Sequence, residues 1–220
     1  MSALLVIMAA TFGAATAAFL PHLACRLAVP YGSPSRSTCG SGWVRLRFPQ
    51  RYGVTPVIGA VVATLLAVGV EESPLLPVYL LAAVPALLLA MIDLRCLRLP
   101  DRIVALLGAV AGVPLAVLRP EHIGTAVMAG GLVFAAHLAI ALLPRGGLGL
   151  GDVKLAGVLA FVLGFAGWPA VAVGVLTPHL INGPIALALL LTGRADRRRP
   201  LPFGPALLAG ALIAVITSPP

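Results

Sequence analysis

Leu75-Leu76-Pro77-Val78-Tyr79-Leu80-Leu81-Ala82-Ala83-Val84-Pro85-Ala86-Leu87-Leu88-Leu89-Ala90-Met91-Ile92 runs without a charge and is closed by Asp93 and Arg95. A helix crossing the hydrocarbon of a bilayer needs roughly 17–25 apolar residues, and this stretch is long enough. Comparable apolar runs occupy residues 2–24, 54–70, 103–118, 123–143, 153–167, 169–191 and 201–217. Backbone amides have no water to bond to inside a bilayer, so apolar runs of this length span it as helices. The expected fold is all-α: a polytopic integral membrane helical bundle with about eight transmembrane helices.

Composition agrees. Hydrophobic residues make up 60% of the 220-residue chain and charged residues 10%, against roughly a quarter charged in soluble domains. Mean hydropathy is +1.06. The net charge of +8 would raise nucleic-acid binding in a soluble protein. Here the arginines sit in short segments between apolar runs, so no nucleic-acid partner is expected, and membrane lipids are. Cys25, Cys39 and Cys96 form no CxxC pair, and no disulfide framework is expected. No Lys or Arg precedes the first apolar run, so it reads as an uncleaved span rather than a signal peptide.

Charge gives the orientation. Arg26, Arg36, Arg45, Arg47, Arg51, Arg95, Arg98, Arg102, Arg145, Lys154, Arg194, Arg197, Arg198 and Arg199 fall on one side of an eight-span path, and only Arg119 on the other, with Glu71, Glu72 and Glu121. By the positive-inside rule the fourteen face the cytoplasm and both termini face out. The expected organisation is a first span over residues 1–24, a basic cytoplasmic loop over 25–53, and a membrane core over 54–220.

Acids are scarce enough to weigh singly. Glu71, Glu72 and Glu121 read as solvated turn charges, and Asp196 as an ion pair among arginines. Asp101, after Pro100, reads as an N-terminal acid favouring a helix dipole. Asp93 and Asp152 differ, because one closes an apolar run and the other opens one at the same cytoplasmic depth. Ionisable residues at a membrane edge are costly and point to function. Two close carboxylates share a proton. One can then activate water while the other polarises a carbonyl. Gly149 and Gly151, within a Gly-rich stretch starting at Gly146, permit close backbone approach. Lys154 either stabilises ionised Asp152 or anchors its span at the headgroups. His137 and His179, within spans, read as packed and hydrogen-bonded rather than metal ligands; no metal or cofactor is expected.

Three stretches carry a resemblance: Ile92-Asp93, a spacer and Leu99-Pro100-Asp101; Gly149-Leu150-Gly151-Asp152-Val153-Lys154-Leu155; and Leu201-Pro202-Phe203-Gly204-Pro205. Together and in this order they resemble the type IV prepilin peptidases, the GxGD class of membrane aspartic proteases. The resemblance implies that Asp93 and Asp152 are the catalytic pair of an aspartic endopeptidase. Such an enzyme would act in the bacterial cytoplasmic membrane, removing short basic leaders from prepilin or pseudopilin precursors at the cytoplasmic face. Bifunctional members carry two CxxC pairs in the first loop and also N-methylate the new terminus. Here Ser35-Arg36-Ser37-Thr38-Cys39-Gly40 is similar to a remnant of one pair, with Arg36 in place of the first Cys. Metal binding and methyl transfer are therefore not carried over. The alternative class is a small transporter or channel using both aspartates as proton or cation sites.

The topology has a direct test. Alkaline phosphatase fused after Glu72 or Glu121 is expected to be active, and fused after Arg47 or Arg198 inactive; the opposite pattern would overturn the orientation.

Overall fold

The computed structural model describes residues 2–27, 54–97, 99–143, 148–192 and 202–218. Several expectations lie outside them. These concern most of the basic loop with Arg36 and Cys39, residues Arg98, Arg145, Gly146 and Gly147, the 194–199 arginine cluster with Asp196, and Leu201.

Among the described residues there are eight α-helices and no strand: α1 (Ala3–Leu27), α2 (Val54–Val70), α3 (Leu76–Cys96), α4 (Asp101–Leu118), α5 (Ile123–Leu142), α6 (Leu150–Gly164), α7 (Trp168–Leu191) and α8 (Gly204–Thr217). A single 3-10 turn, Pro120–His122, links α4 to α5. The helices follow the eight apolar runs, with shifted ends. α3 continues a full turn beyond the expected stop to Cys96 and is closed by Leu97 in the left-handed conformation, φ 50°, whose N–H bonds the Asp93 carbonyl. α6 begins three residues early, at Leu150, so Asp152 is inside its first turn. Hydropathy marks where a run leaves the apolar layer, whereas helix ends depend on where backbone groups find partners.

The stretches Ala3–Ala24, Leu76–Cys96, Asp101–Leu118 and Pro120–Leu142 are long and apolar enough to cross a membrane, and Val54–Val70 and Gly204–Thr217 are shorter apolar helices. Large apolar side chains face outward along the bundle, among them Leu132, Val117 and Leu180, as suits an integral membrane protein whose surroundings are lipid.

The helices pack chiefly as neighbouring antiparallel pairs, α1 with α2, α3 with α4, α5 with α6 and α7 with α8. Lipid is as apolar as leucine, so close van der Waals approach, rather than the hydrophobic effect, joins helices in a membrane. The sequence supplies small residues for this. A Cβ at Gly59 would strike the Gly13 carbonyl and the Ala17 Cβ across the α1–α2 crossing. Gly164 meets the Ala126 backbone, and Gly157 the Phe134 side chain, where α6 crosses α5. α6 also packs on α4, α7 and α8, and its Val153, Leu155, Ala156, Leu159, Ala160 and Leu163 are buried. It is the central element, and α8 lies against both α3 and α6.

The absence of a disulfide is corrected. Cys96, the last residue of α3, is disulfide-bonded, to a partner outside the described side chains. An odd count at wide spacing hides pairing, because the chain's path and not the spacing brings thiols together.

Gly59→Leu is expected to destabilise the detergent-solubilised protein by about 1–3 kcal/mol through overpacking. Gly131→Leu, where a Cβ meets nothing within 4 Å, should leave the thermal midpoint unchanged or raise it. Equal loss in both would refute the close-crossing account.

Candidate functional site

The C-terminal turn of α3 and the N-terminal turns of α4, α6 and α8 come together at one end of the bundle. Ser2 and Glu72 meet through the backbone N–H of Ser2 and Glu72 Oε1 at 3.2 Å, where α1 begins and α2 ends.

Asp93 is 4% exposed and, with His137, is one of two buried polar residues among those described. A buried carboxylate needs donors. The Gly204 N–H supplies one, at 3.0 Å from Oδ2. Gly204 is the first residue of α8, where the amide has no partner within the helix and the dipole favours negative charge. Pro205, next in line, has no N–H to offer. A Cβ at position 204 would lie 2.8 Å from Asp93 Oδ2, so only glycine lets the carboxylate reach the amide. A charge-assisted bond of this kind contributes about 1.5–3 kcal/mol.

Asp152 is the third residue of α6, one turn from the N-cap residue Gly149, and a Cβ at Gly149 would lie 3.2 Å from Asp152 Oδ2. Asp152 Oδ1 is buried and has no hydrogen-bond partner. The carboxylates of Asp93 and Asp152 lie within Coulombic range of one another. Gly151, between Gly149 and Asp152, faces Leu99, whose Cβ would be 3.0 Å from an added Cβ. The glycine thus lets α6 start close beside the segment that leads through Pro100 into α4.

One of the two readings of Lys154 is corrected here. Lys154 does not pair with Asp152; its Nζ donates to Asp101 Oδ2 at 2.7 Å. Residues two apart on a helix point to opposite sides, so Lys154 turns from Asp152 towards α4. Asp101 is, as expected, an acid in the first turn of α4, directly after the N-cap Pro100, where it favours the helix dipole; its carboxylate also reaches across the α4–α6 gap to Lys154. Spacing along one helix could not reveal a partner on another.

His137 is packed and hydrogen-bonded as expected, its Nδ1 donating to the Val133 carbonyl at 2.9 Å. His179 is hydrogen-bonded, its Nδ1 donating to the Val175 carbonyl at 2.7 Å, but it is exposed on α7 rather than packed inside the bundle. Their rings also face each other, with centroids 5.8 Å apart, which sequence reading missed. Among the described residues no group of three or more His, Cys, Asp or Glu could hold a metal ion. A groove of 490 Å³, lined by Gly130, Phe134, Lys154, Gly157 and Phe161 among others, runs along the side of α6 turned from Asp152.

A profile of the type IV leader peptidase family matches residues 79–217. The chain is 35% identical over 132 residues to a prepilin leader peptidase/N-methyltransferase of Bacillus subtilis (strain 168), covering 59% of this chain and 51% of that protein. It is 30% identical over 186 residues to the protein of that name from Aeromonas hydrophila, covering 79% and 59%, and 32% identical over 181 residues to that of Aeromonas salmonicida (strain A449), again covering 79% and 59%. The chain thus spans a little over half the length of these relatives. No solved structure matches it.

Gly204→Ala is expected to cost about 1–3 kcal/mol by displacing the buried Asp93 carboxylate. Lys154→Ala should cost no more than about 1 kcal/mol, because that ion pair is exposed, at 47% and 67% of its two side chains. Thermal unfolding in detergent separates the two, and the reverse order would refute the assignment of the buried bond.

Proposed function

Because this chain belongs to the type IV leader peptidase family, we propose that it is a membrane-embedded aspartic endopeptidase, cutting short leaders from prepilin or pseudopilin precursors at the cytoplasmic face. The observation that carries this reading is that Asp93 and Asp152 lie within Coulombic range of one another. They stand on different helices, at one end of the bundle; Asp93 accepts from the Gly204 amide at the start of α8, and Asp152 stands in the first turn of α6.

The chemistry needs one proton shared by two carboxylates and one water. The ionised carboxylate takes a proton from the water as its oxygen attacks the scissile carbonyl carbon. The protonated carboxyl hydrogen-bonds the carbonyl oxygen and stabilises the charge that develops there. Collapse of the tetrahedral intermediate breaks the C–N bond, and a carboxyl proton passes to the leaving amine. The Gly204 amide holds the Asp93 carboxylate in place, and Asp152 Oδ1, without a hydrogen-bond partner, stays free to accept a proton. The arginine-rich segments expected on this side hold anionic headgroups near the site. The relatives' printed names include N-methyltransferase activity; the reading here is limited to peptide cleavage, because the loop around Cys39 lacks paired CxxC motifs.

Co-expression with a candidate prepilin tests this. Asp93→Asn and Asp152→Asn are each expected to slow leader removal by at least about 10²–10⁴-fold while the protein remains inserted. Continued cleavage by either variant would sink the paired-carboxylate mechanism. The mass of the mature N-terminus is expected to show no added methyl group.

A further inference from the structure

α8 presents the amide that holds Asp93, yet Gly204 has no side chain with which to fix that amide's direction. The side chain immediately before it is Phe203, the N-cap residue of α8. Phe203 meets His179 of α7 edge-on, with ring centroids 5.4 Å apart and planes at 69°. This is a favoured aromatic geometry. His179 is itself held. Its Nδ1 donates to the Val175 carbonyl, which limits rotation of the ring, and the buried His137 of α5 packs tilted against it at 5.8 Å.

The brace stands beside the tightest α7–α8 approach. A Cβ at Gly210 would lie 2.7 Å from Pro178 Cδ and 2.8 Å from the Gly174 carbonyl oxygen. Pro178 cannot donate to that carbonyl, so α7 gives up a backbone bond where α8 comes close. His179 follows Pro178 directly. α8 is therefore pinned to α7 at Gly210 and again, at its start, through Phe203.

We propose that His179 is a positioning residue for Asp93: its ring braces Phe203 and so keeps the Gly204 N–H directed at the carboxylate. The inference rests on the reading of Asp93 as one of the two reacting carboxylates. His179 touches neither carboxylate and acts only through Phe203. Its contribution lies in the geometry of the reacting centre and not in binding the precursor.

Full-length protein in membranes, assayed on a prepilin and normalised to inserted protein, tests the proposal. His179→Ala is expected to lower kcat roughly 10- to 100-fold, the scale that a misplacement of about 1 Å costs, with KM unchanged. His179→Phe, which keeps an aromatic edge on Phe203, is expected to restore kcat to within about threefold of the parent. In a Phe203→Ala background the His179→Ala loss should largely vanish, since the two changes break the same contact. Unchanged kcat in His179→Ala overturns the proposal. So does a His179→Phe variant as slow as His179→Ala, a loss confined to KM, or a full His179→Ala loss on top of Phe203→Ala. Asp93→Asn run beside them separates the two readings. If it cleaves normally, the peptidase assignment of Asp93 falls and the brace with it. If it is inactive while His179→Ala is fully active, only the brace falls.

Discussion

The hydrogen bond from the Gly204 amide to Asp93 Oδ2 is the constraint around which this end of the bundle is organised. It takes a carboxylate that is 4% exposed and gives it the donor such a group requires. It also takes an amide at the start of α8 that has no acceptor within its own helix. The bond can form only if α8 begins beside the last full turn of α3, with glycine at the point of contact. That in turn requires α8 to fit between α3 and α6, which brings Asp152 into range.

The packing that permits this is built from small residues. Across the α1–α2, α5–α6 and α7–α8 crossings, Gly13 and Gly59, Gly157 and Gly164, and Gly210 allow backbones to approach at distances a side chain would forbid. In a bilayer this approach is a main source of association between helices. α6, only fifteen residues long, is surrounded by α4, α5, α7 and α8. A short helix can be tolerated there because its C-terminal end, Gly164 and Phe165, is covered by protein rather than by lipid, while its start at Leu150 is exposed. The N-terminal end of that short helix carries Asp152.

Charged residues around the site divide by depth. Asp93 is buried and held by a backbone amide, so its orientation depends on helix packing. Lys154 and Asp101 pair in the open at the rim, where solvent screens them and the pair adds little stability. What it adds is a link between the starts of α4 and α6, on the side of α6 away from the carboxylates. The acid and the base that the motifs place near Asp93 and Asp152 thus serve each other.

The sequence by itself determined the all-α class, the eight apolar runs and the two acids at their edges. These follow from one-dimensional quantities: the transfer cost of each run, the cost of a charge next to it, and the alternation of basic segments. α2 fell on residues 54–70 as read, because its ends coincide with its change in hydropathy. Asp93 and Asp152 stood out because so few acids interrupt or border the apolar runs. Only the tertiary structure decided that Gly204 holds Asp93, that Lys154 bonds Asp101 rather than Asp152, that His179 meets both His137 and Phe203, and that Cys96 is disulfide-bonded. Each of these joins residues on separate segments of the chain. Which faces of two helices meet depends on their rotation about their own axes, and that is set by close crossings such as Gly59 on Gly13, far along the sequence from the groups they align.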